Sequence, residues 1–237
     1  MIALGHAIQS DRGASTPTHL PSTRPVIILD AGHGGEDGGA VGENGIPEKD
    51  INLEIAKHLD EMLRAAGYET VMTRSDDRML YDPNVDYKGR KKRLDLEARL
   101  AIAQSQENAI FVSIHMNAFP DSQYSGLQVY YSTNHADSKI LAEQIQSDSK
   151  AWLLANNERH IKPSGGTSYL LDHIAHPAVL VECGFLSNSE ECKKLSTQSY
   201  QRQLATALFS SICDFCEGEK KMKENLSSPW FLPPFIV

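Results

Sequence analysis

Three apolar runs limit what this 237-residue chain can build. Val26-Ile27-Ile28-Leu29, Ile110-Phe111-Val112-Ser113-Ile114 and Ala178-Val179-Leu180-Val181 lack the polar alternation of a half-exposed strand. Strands of this kind are covered on both faces, which is the setting of a parallel sheet between helix layers. Helical periodicity fills the intervals. Ile51, Ile55, Leu59, Met62 and Leu63 recur at three-four spacing after Pro47, a residue tolerated in a first helical turn, and Gly67 ends the run. Further helices are expected over 94–106, with Leu96, Leu100 and Ala103 as the inner stripe, and over 138–152. A last long helix carries Tyr200, Leu204, Leu208, Ile212 and Phe215. Additional strands are expected over 68–74, 127–131 and 169–171, and Asn188 with Glu191 has the spacing of a capping box. The pattern predicts a single α/β domain: a twisted, mostly parallel sheet flanked by helices on both faces. Its expected limits are 26–217, after a flexible segment at 1–25 rich in Ser, Thr, Pro and Gly. A tail follows over 218–237, charged and then apolar, ending PWFLPPFIV.

Several function classes fall away on composition. A net charge of -8 provides no basic field for phosphates, so nucleic acid is not an expected partner. No run of about 18 apolar residues exists to cross a membrane. The opening MIALGHAIQS is too short and polar for a secretion signal. That leaves a cytosolic protein, or one whose leader or anchor is not part of this chain. Four cysteines are too few for a disulfide scaffold, and Cys213 with Cys216 fall at helical spacing, where packing is the favoured reading over a metal or redox pair.

The ends of the three apolar runs carry the chemistry. The first leads into a glycine-dense turn with His33, followed by a helix start with Glu48; the second ends in His115, the third in Glu182. Sites of open α/β sheets gather beyond the carboxyl ends of the strands. Two imidazoles and two carboxylates there are the parts of a hydrolytic zinc site, in which three protein ligands leave a position for water. A separate carboxylate must then carry the proton from water to the leaving amine. Glu182 arrives from an apolar strand, where desolvation raises a carboxyl pKa and suits it to that task. A nucleotide loop is excluded: GxGxxG through Gly32 and Gly34 needs a third glycine where Asp37 stands, and the Walker lysine is absent.

DAGHGGEDGGAVG…EKDINL, SIHMNAF and VECGFLSN, in this order, resemble the motifs of the zinc-dependent N-acetylmuramoyl-L-alanine amidases, the Amidase_3 family, over roughly Val26 to Phe215. The resemblance implies His33, Glu48 and His115 as zinc ligands, Glu182 as catalytic carboxylate, and 26–217 as the amidase catalytic domain. It implies hydrolysis of the amide between the lactyl group of muramic acid and L-alanine in peptidoglycan. Many members carry proline at the position of Ala31, and many division-type members insert a long regulatory segment where this chain has only FPDSQYS. YDPNVDYKGRKKRLDLEARL is similar to the sporulation-type CwlD subgroup. That similarity implies a role in muramic lactam formation in spore cortex, an extracytoplasmic location in the cell envelope such as the forespore intermembrane space, and a possible lipoprotein partner.

Other readings compete. A zinc peptidase or carboxypeptidase cutting within the stem peptide would use the same metal chemistry, and a non-catalytic wall-binding module would keep a structural metal. For the run Lys88 to Arg93, a solvated loop is favoured over an anion-binding patch. Of the other histidines (His6, His58, His135, His160, His173 and His176), each reads as solvated or structural.

Overall fold

The computed structural model describes residues 24–82, 84 and 86–227. Six strands form one sheet in the order β2-β1-β3-β6-β4-β5. They are β1 (Val26–Ala31), β2 (Thr70–Met72), β3 (Ala109–Asn117), β4 (Gln128–Tyr131), β5 (Lys162–Pro163) and β6 (Ala178–Phe185). β2, β1, β3 and β6 run parallel; β4 is antiparallel to β6, with β5 parallel to β4. The expected α/β architecture with a mostly parallel sheet is the one observed.

The helices are α1 (Glu48–Ala65), α2 (Lys91–Gln104), α3 (Ala136–Trp152), α4 (Tyr169–His173), α5 (Ser189–Leu195) and α6 (Gln198–Ser227). Residues alternate across each strand. Ile27, Leu29, Val112, Ile114, Val179 and Val181 therefore face one way, into a large core closed by α1, α3 and α6. Ile28, Phe111 and Ala178 face the other way, into a smaller core under α2 and α4. Ile51, Ile55, Leu59 and Leu63 of α1 are fully buried, as their spacing predicts.

β1 lies between β2 and β3, so the crossover through α1 leads to one side and the next, through α2, back past β1 to the other. Right-handed connections running in opposite directions place their helices on opposite faces and open a crevice at the strand ends between β1 and β3. His33 and His115 sit on either side of it.

Five local expectations differ. Residues 169–171 are the helix α4, not a strand: the Ser168 hydroxyl accepts a hydrogen bond from Leu171 N at 3.4 Å, and Leu170 and Leu171 pack into the smaller core. The edge-strand position next to β4 is filled instead by Lys162–Pro163. Pro47 is the residue before α1, with extended backbone, rather than its first helical residue. On α2 the fully buried positions are Asp95, Arg99 and Ala103, while Leu96 and Leu100 are half-buried. The capping box is half-formed. Asn188 accepts from Glu191 N, but the Glu191 carboxylate turns away to accept from Gly126 N at 2.8 Å and Phe185 N at 2.7 Å. α6 runs through the expected boundary at Gly218 to Ser227. The flexible segment expected at 1–25, up to residue 23, and the PWFLPPFIV ending lie outside the described residues.

Candidate metal centre

His33 leaves β1 in a left-handed backbone conformation (φ 61°), uncommon for a residue with a side chain. Its ring lines the cavity and meets the His115 ring edge-on, with centroids 5.0 Å apart. Gly32 before it approaches the His115 ring so closely that a Cβ there would lie 2.2 Å from Cε1 and Nε2. Gly39 plays the same part on the far side of the loop: a Cβ would meet Glu48 Oε2 at 2.5 Å and His33 Cδ2 at 2.7 Å.

Glu48 opens α1, where the helix dipole favours a negative charge. The β1–β3 ladder stops where Gly32 N donates to Ile114 O, and Glu48 Oε1 takes up the next strand donor, Met116 N, at 3.0 Å. The other carboxylate oxygen accepts from Ala40 N at 3.0 Å. Glu48 Oε1 also stands 2.9 Å from His115 Nδ1 and 3.3 Å from His33 Nε2. Burial opposes ionisation of Glu48, but the hydrogen bonds with His115 and His33 outweigh it and hold its carboxyl far below the usual range. Burial likewise works against a charged His33, and Glu48 and Asp37 overcome it, raising its pKa.

One ligand atom from each of His33, Glu48 and His115 lies within 4.8 Å of the others, the one such group of metal-binding side chains among the described residues. Two imidazole nitrogens and one carboxylate oxygen make a donor set that matches a catalytic zinc site. Asp37 holds the other His33 nitrogen: its Oδ2 is 2.9 Å from Nδ1, which leaves Nε2 for the centre.

Glu182 is the register partner of His115 across β3 and β6. Its Oε2 is buried without a hydrogen-bond partner. Burial is the main cause that pushes its pKa up to about 7. The carboxyl lines a cavity of about 240 Å³ together with His33 and His115, walled by Lys92 and Leu96 of α2 and by Tyr169 of α4. The fold thus brings all four residues singled out in the sequence to one place. Three of them converge, and the fourth faces the same cavity.

Four contributors escaped the sequence reading: Asp37, Asn52, Arg74 and Arg99. Asp37 had a local signal, a carboxylate four residues after His33. Arg99 had another, a charged residue within the apolar stripe of α2. Arg74 and Asn52 carried none, since only the folded chain brings them under the turn. In the basic run at the start of α2, Arg93 pairs locally with Glu97, while Lys91 reaches Glu36 and Lys92 reaches Asp37 on the turn that follows His33.

Residues 27–214 match the Amidase_3 family, N-acetylmuramoyl-L-alanine amidase, and the chain belongs to that family. It is therefore a hydrolase of the N-acetylmuramoyl-L-alanine amidase class, of the sporulation CwlD type. It is 35% identical over 203 residues to the germination-specific N-acetylmuramoyl-L-alanine amidase of Bacillus subtilis, spanning 86% of this chain and 84% of that protein. The fold matches the CwlD amidase from Clostridioides difficile, solved in complex with the GerS lipoprotein. That match has a TM-score of 0.77 and 39% identity, covering 82% of this chain and 99% of that one. A further match is AmiC2 of Nostoc punctiforme, with a TM-score of 0.70 and 28% identity over 81% of this chain and 97% of that one.

Proposed function

We propose that His33, Glu48 and His115 hold a zinc ion and that Glu182 carries the proton in hydrolysis of the amide between N-acetylmuramic acid and L-alanine. The observation that supports this most is the convergence of three donors beside a buried carboxyl oxygen with no partner of its own. Zinc held by such a set supplies Lewis acidity, polarising a carbonyl and making water a nucleophile near neutral pH.

The remaining work belongs to the chain. With a pKa near 7, Glu182 ionises in the range where it can accept a proton from the attacking water and return it. The balance is simple. The hydroxyl of water joins the lactyl carbonyl carbon, the C–N bond breaks, and Glu182 delivers water's proton to the departing alanine nitrogen. Products are the muramic carboxyl group and a free stem peptide. Asp37 keeps the His33 ring in the orientation that directs Nε2 inward. The walls of the cavity, half-buried Leu96 and Tyr169, limit the water around the reacting bond.

The likeness to the germination-specific and CwlD proteins supports a narrower reading, action on spore cortex peptidoglycan leading to muramic lactam, in the cell envelope. It also supports a lipoprotein partner of the kind seen in the CwlD complex. The test is metal content measured alongside mass spectrometry of digested peptidoglycan. Intact stem peptides released in proportion to bound zinc are expected. Loss of single terminal residues from the stem would replace the amidase with a peptidase, and zinc binding without any cleavage would leave a binding module.

A further inference from the structure

The carbonyls of Ala31, Gly32 and His33, the end of β1 and the turn that carries the first candidate ligand, are held from beneath by side chains. Ala31 O accepts from Arg74 Nε at 2.8 Å and from Arg99 Nη1 at 2.9 Å. Gly32 O accepts from Arg74 Nη2 at 3.0 Å and from Asn52 Nδ2 at 3.1 Å. His33 O accepts from Arg99 Nη2 at 2.6 Å. All three donor residues are buried: Arg74 and Arg99 at 1% exposure and Asn52 at 0%.

The two guanidiniums are balanced differently. Arg99 is balanced by Asp30 at 2.6 Å and Asp95 at 2.7 Å, both buried. Arg74 has no carboxylate within ion-pair distance among the described residues, and its hydrogen bonds go to the carbonyls of Ala31, Gly32, Lys49 and Asp76. Asp30, Asp77 and Asp95 offset its charge only from beyond ion-pair distance; burying a cation whose direct contacts are all carbonyls is costly, so a mere packing role is a poor account of it. One contact explains the arrangement: Arg74 Nη2 bridges Gly32 O and, at 2.7 Å, Lys49 O, the residue next to Glu48. Asn52 makes the same link through its side chain, reaching Gly32 O and Glu48 Oε1 at 3.3 Å. Each therefore ties the turn of His33 to the helix start of Glu48.

We propose that Arg74, Arg99 and Asn52 are positioning residues that preform the His33–Glu48 half of the metal centre, holding His33 in its left-handed conformation so that metal meets a ready-made site. Unfavourable backbone conformations persist where the surroundings over-determine them, and five donors on three successive carbonyls do so here. Arginine suits the role because its planar fork donates in several fixed directions at once, which lysine cannot reproduce.

The inference rests on the metal reading above, and the test separates the two. Zinc affinity of the full chain is measured by competition with a chromophoric chelator, and the cobalt-substituted protein is followed by its visible absorption. Arg74→Lys, Arg99→Lys and Asn52→Ala are compared with Arg159→Lys, an arginine at the same sheet edge that donates to Ser125 O and Gln128 Oε1 instead. Each variant is first checked in chelator for an unchanged circular dichroism spectrum and cooperative melting. Weakening of about 10- to 100-fold in the three site variants, with an altered cobalt band and wild-type affinity in Arg159→Lys, is the expected result. Wild-type affinity in folded Arg74→Lys and Asn52→Ala overturns the proposal, whatever becomes of Arg99→Lys, whose buried acids make it the most prone to misfold. Failure of the wild-type chain to bind metal overturns the metal reading itself, and this one with it.

Discussion

Glu182 and His115 stand side by side on adjacent parallel strands, and the inner oxygen of Glu182 has no hydrogen-bond partner. A buried, unsatisfied carboxyl oxygen costs stability, and its place in the lining of the cavity makes sense if it serves the reaction. Glu182→Gln keeps the shape and removes the proton acceptor. Turnover of peptidoglycan is expected to fall by about 10²- to 10⁴-fold while bound zinc stays equimolar. Full turnover in the metal-loaded variant would remove Glu182 from the mechanism.

The same carboxyl makes stability depend on pH in a defined direction. Its pKa rises from 4.5 to about 7 on folding, chiefly through burial, so the native state binds its proton more tightly than the unfolded chain. This contribution is fully present below pH 4.5, is lost as pH rises toward 7, and stays constant above, a change of about 3 kcal/mol at most. In chelated protein, Glu182→Gln is expected to flatten that part of the stability profile. Denaturant titrations of both proteins at pH 5 and pH 8 measure it, and parallel profiles would contradict it.

Asp37 accepts from His33 Nδ1 and has no place among the three converging donors. Asp37→Ala is expected to weaken zinc binding by about 10- to 100-fold, and Asp37→Asn, which keeps an acceptor, by less. Competition with a chelating dye reads both. Equal affinity in all three proteins would assign Asp37 to the surface alone.

Gly32 has room for its own backbone and for nothing more toward His115. In Gly32→Ala the new methyl displaces the His115 ring rather than the strands, because the ring is the nearer neighbour at 2.2 Å. The expected stability loss is about 1–3 kcal/mol, accompanied by loss of zinc uptake. Thermal melting and metal analysis distinguish this from a simple packing defect, which would leave zinc bound.

Stripping zinc from the wild-type chain is expected to lower its melting temperature. At free zinc about 100 times Kd the ion contributes about 2.7 kcal/mol, and for a domain of this size each kcal/mol moves the midpoint by about 2–4 °C. Scanning calorimetry with and without chelator gives the difference. Coincident transitions in protein loaded at the start would rule out an ion bound to the native state.

Local pattern decided much of this molecule. Apolar runs without alternation mark β1, β3 and β6, because strands buried on both faces tolerate polar residues only where the site demands them. His33, Glu48, His115 and Glu182 are legible for a related reason: His33 follows β1, Glu48 opens α1, and His115 and Glu182 stand where the unbroken apolar runs of β3 and β6 give way to polar residues, two and three positions before those strands end. The strand expected at residues 169–171 failed because three short apolar residues do not distinguish sheet from helix, and the cap from Ser168 together with burial of Leu170 and Leu171 tips the balance.

What tertiary structure alone decided is how those four residues are held. Arg74 and Arg99 lie 42 and 66 residues from the carbonyls they secure in Gly32 and His33. Nothing in the neighbours of Arg74 along the chain tells a buried arginine from a solvated one, and the place of Arg99 within the apolar stripe of α2 marks burial without naming what it holds. A side chain's solvation is set by what the completed fold packs around it, and hydrogen bonds across such separations exist only once the sheet has closed. The chain's own pattern therefore names the candidate ligands and the elements that carry them, and the packed molecule supplies the angles, the desolvation and the support beneath them.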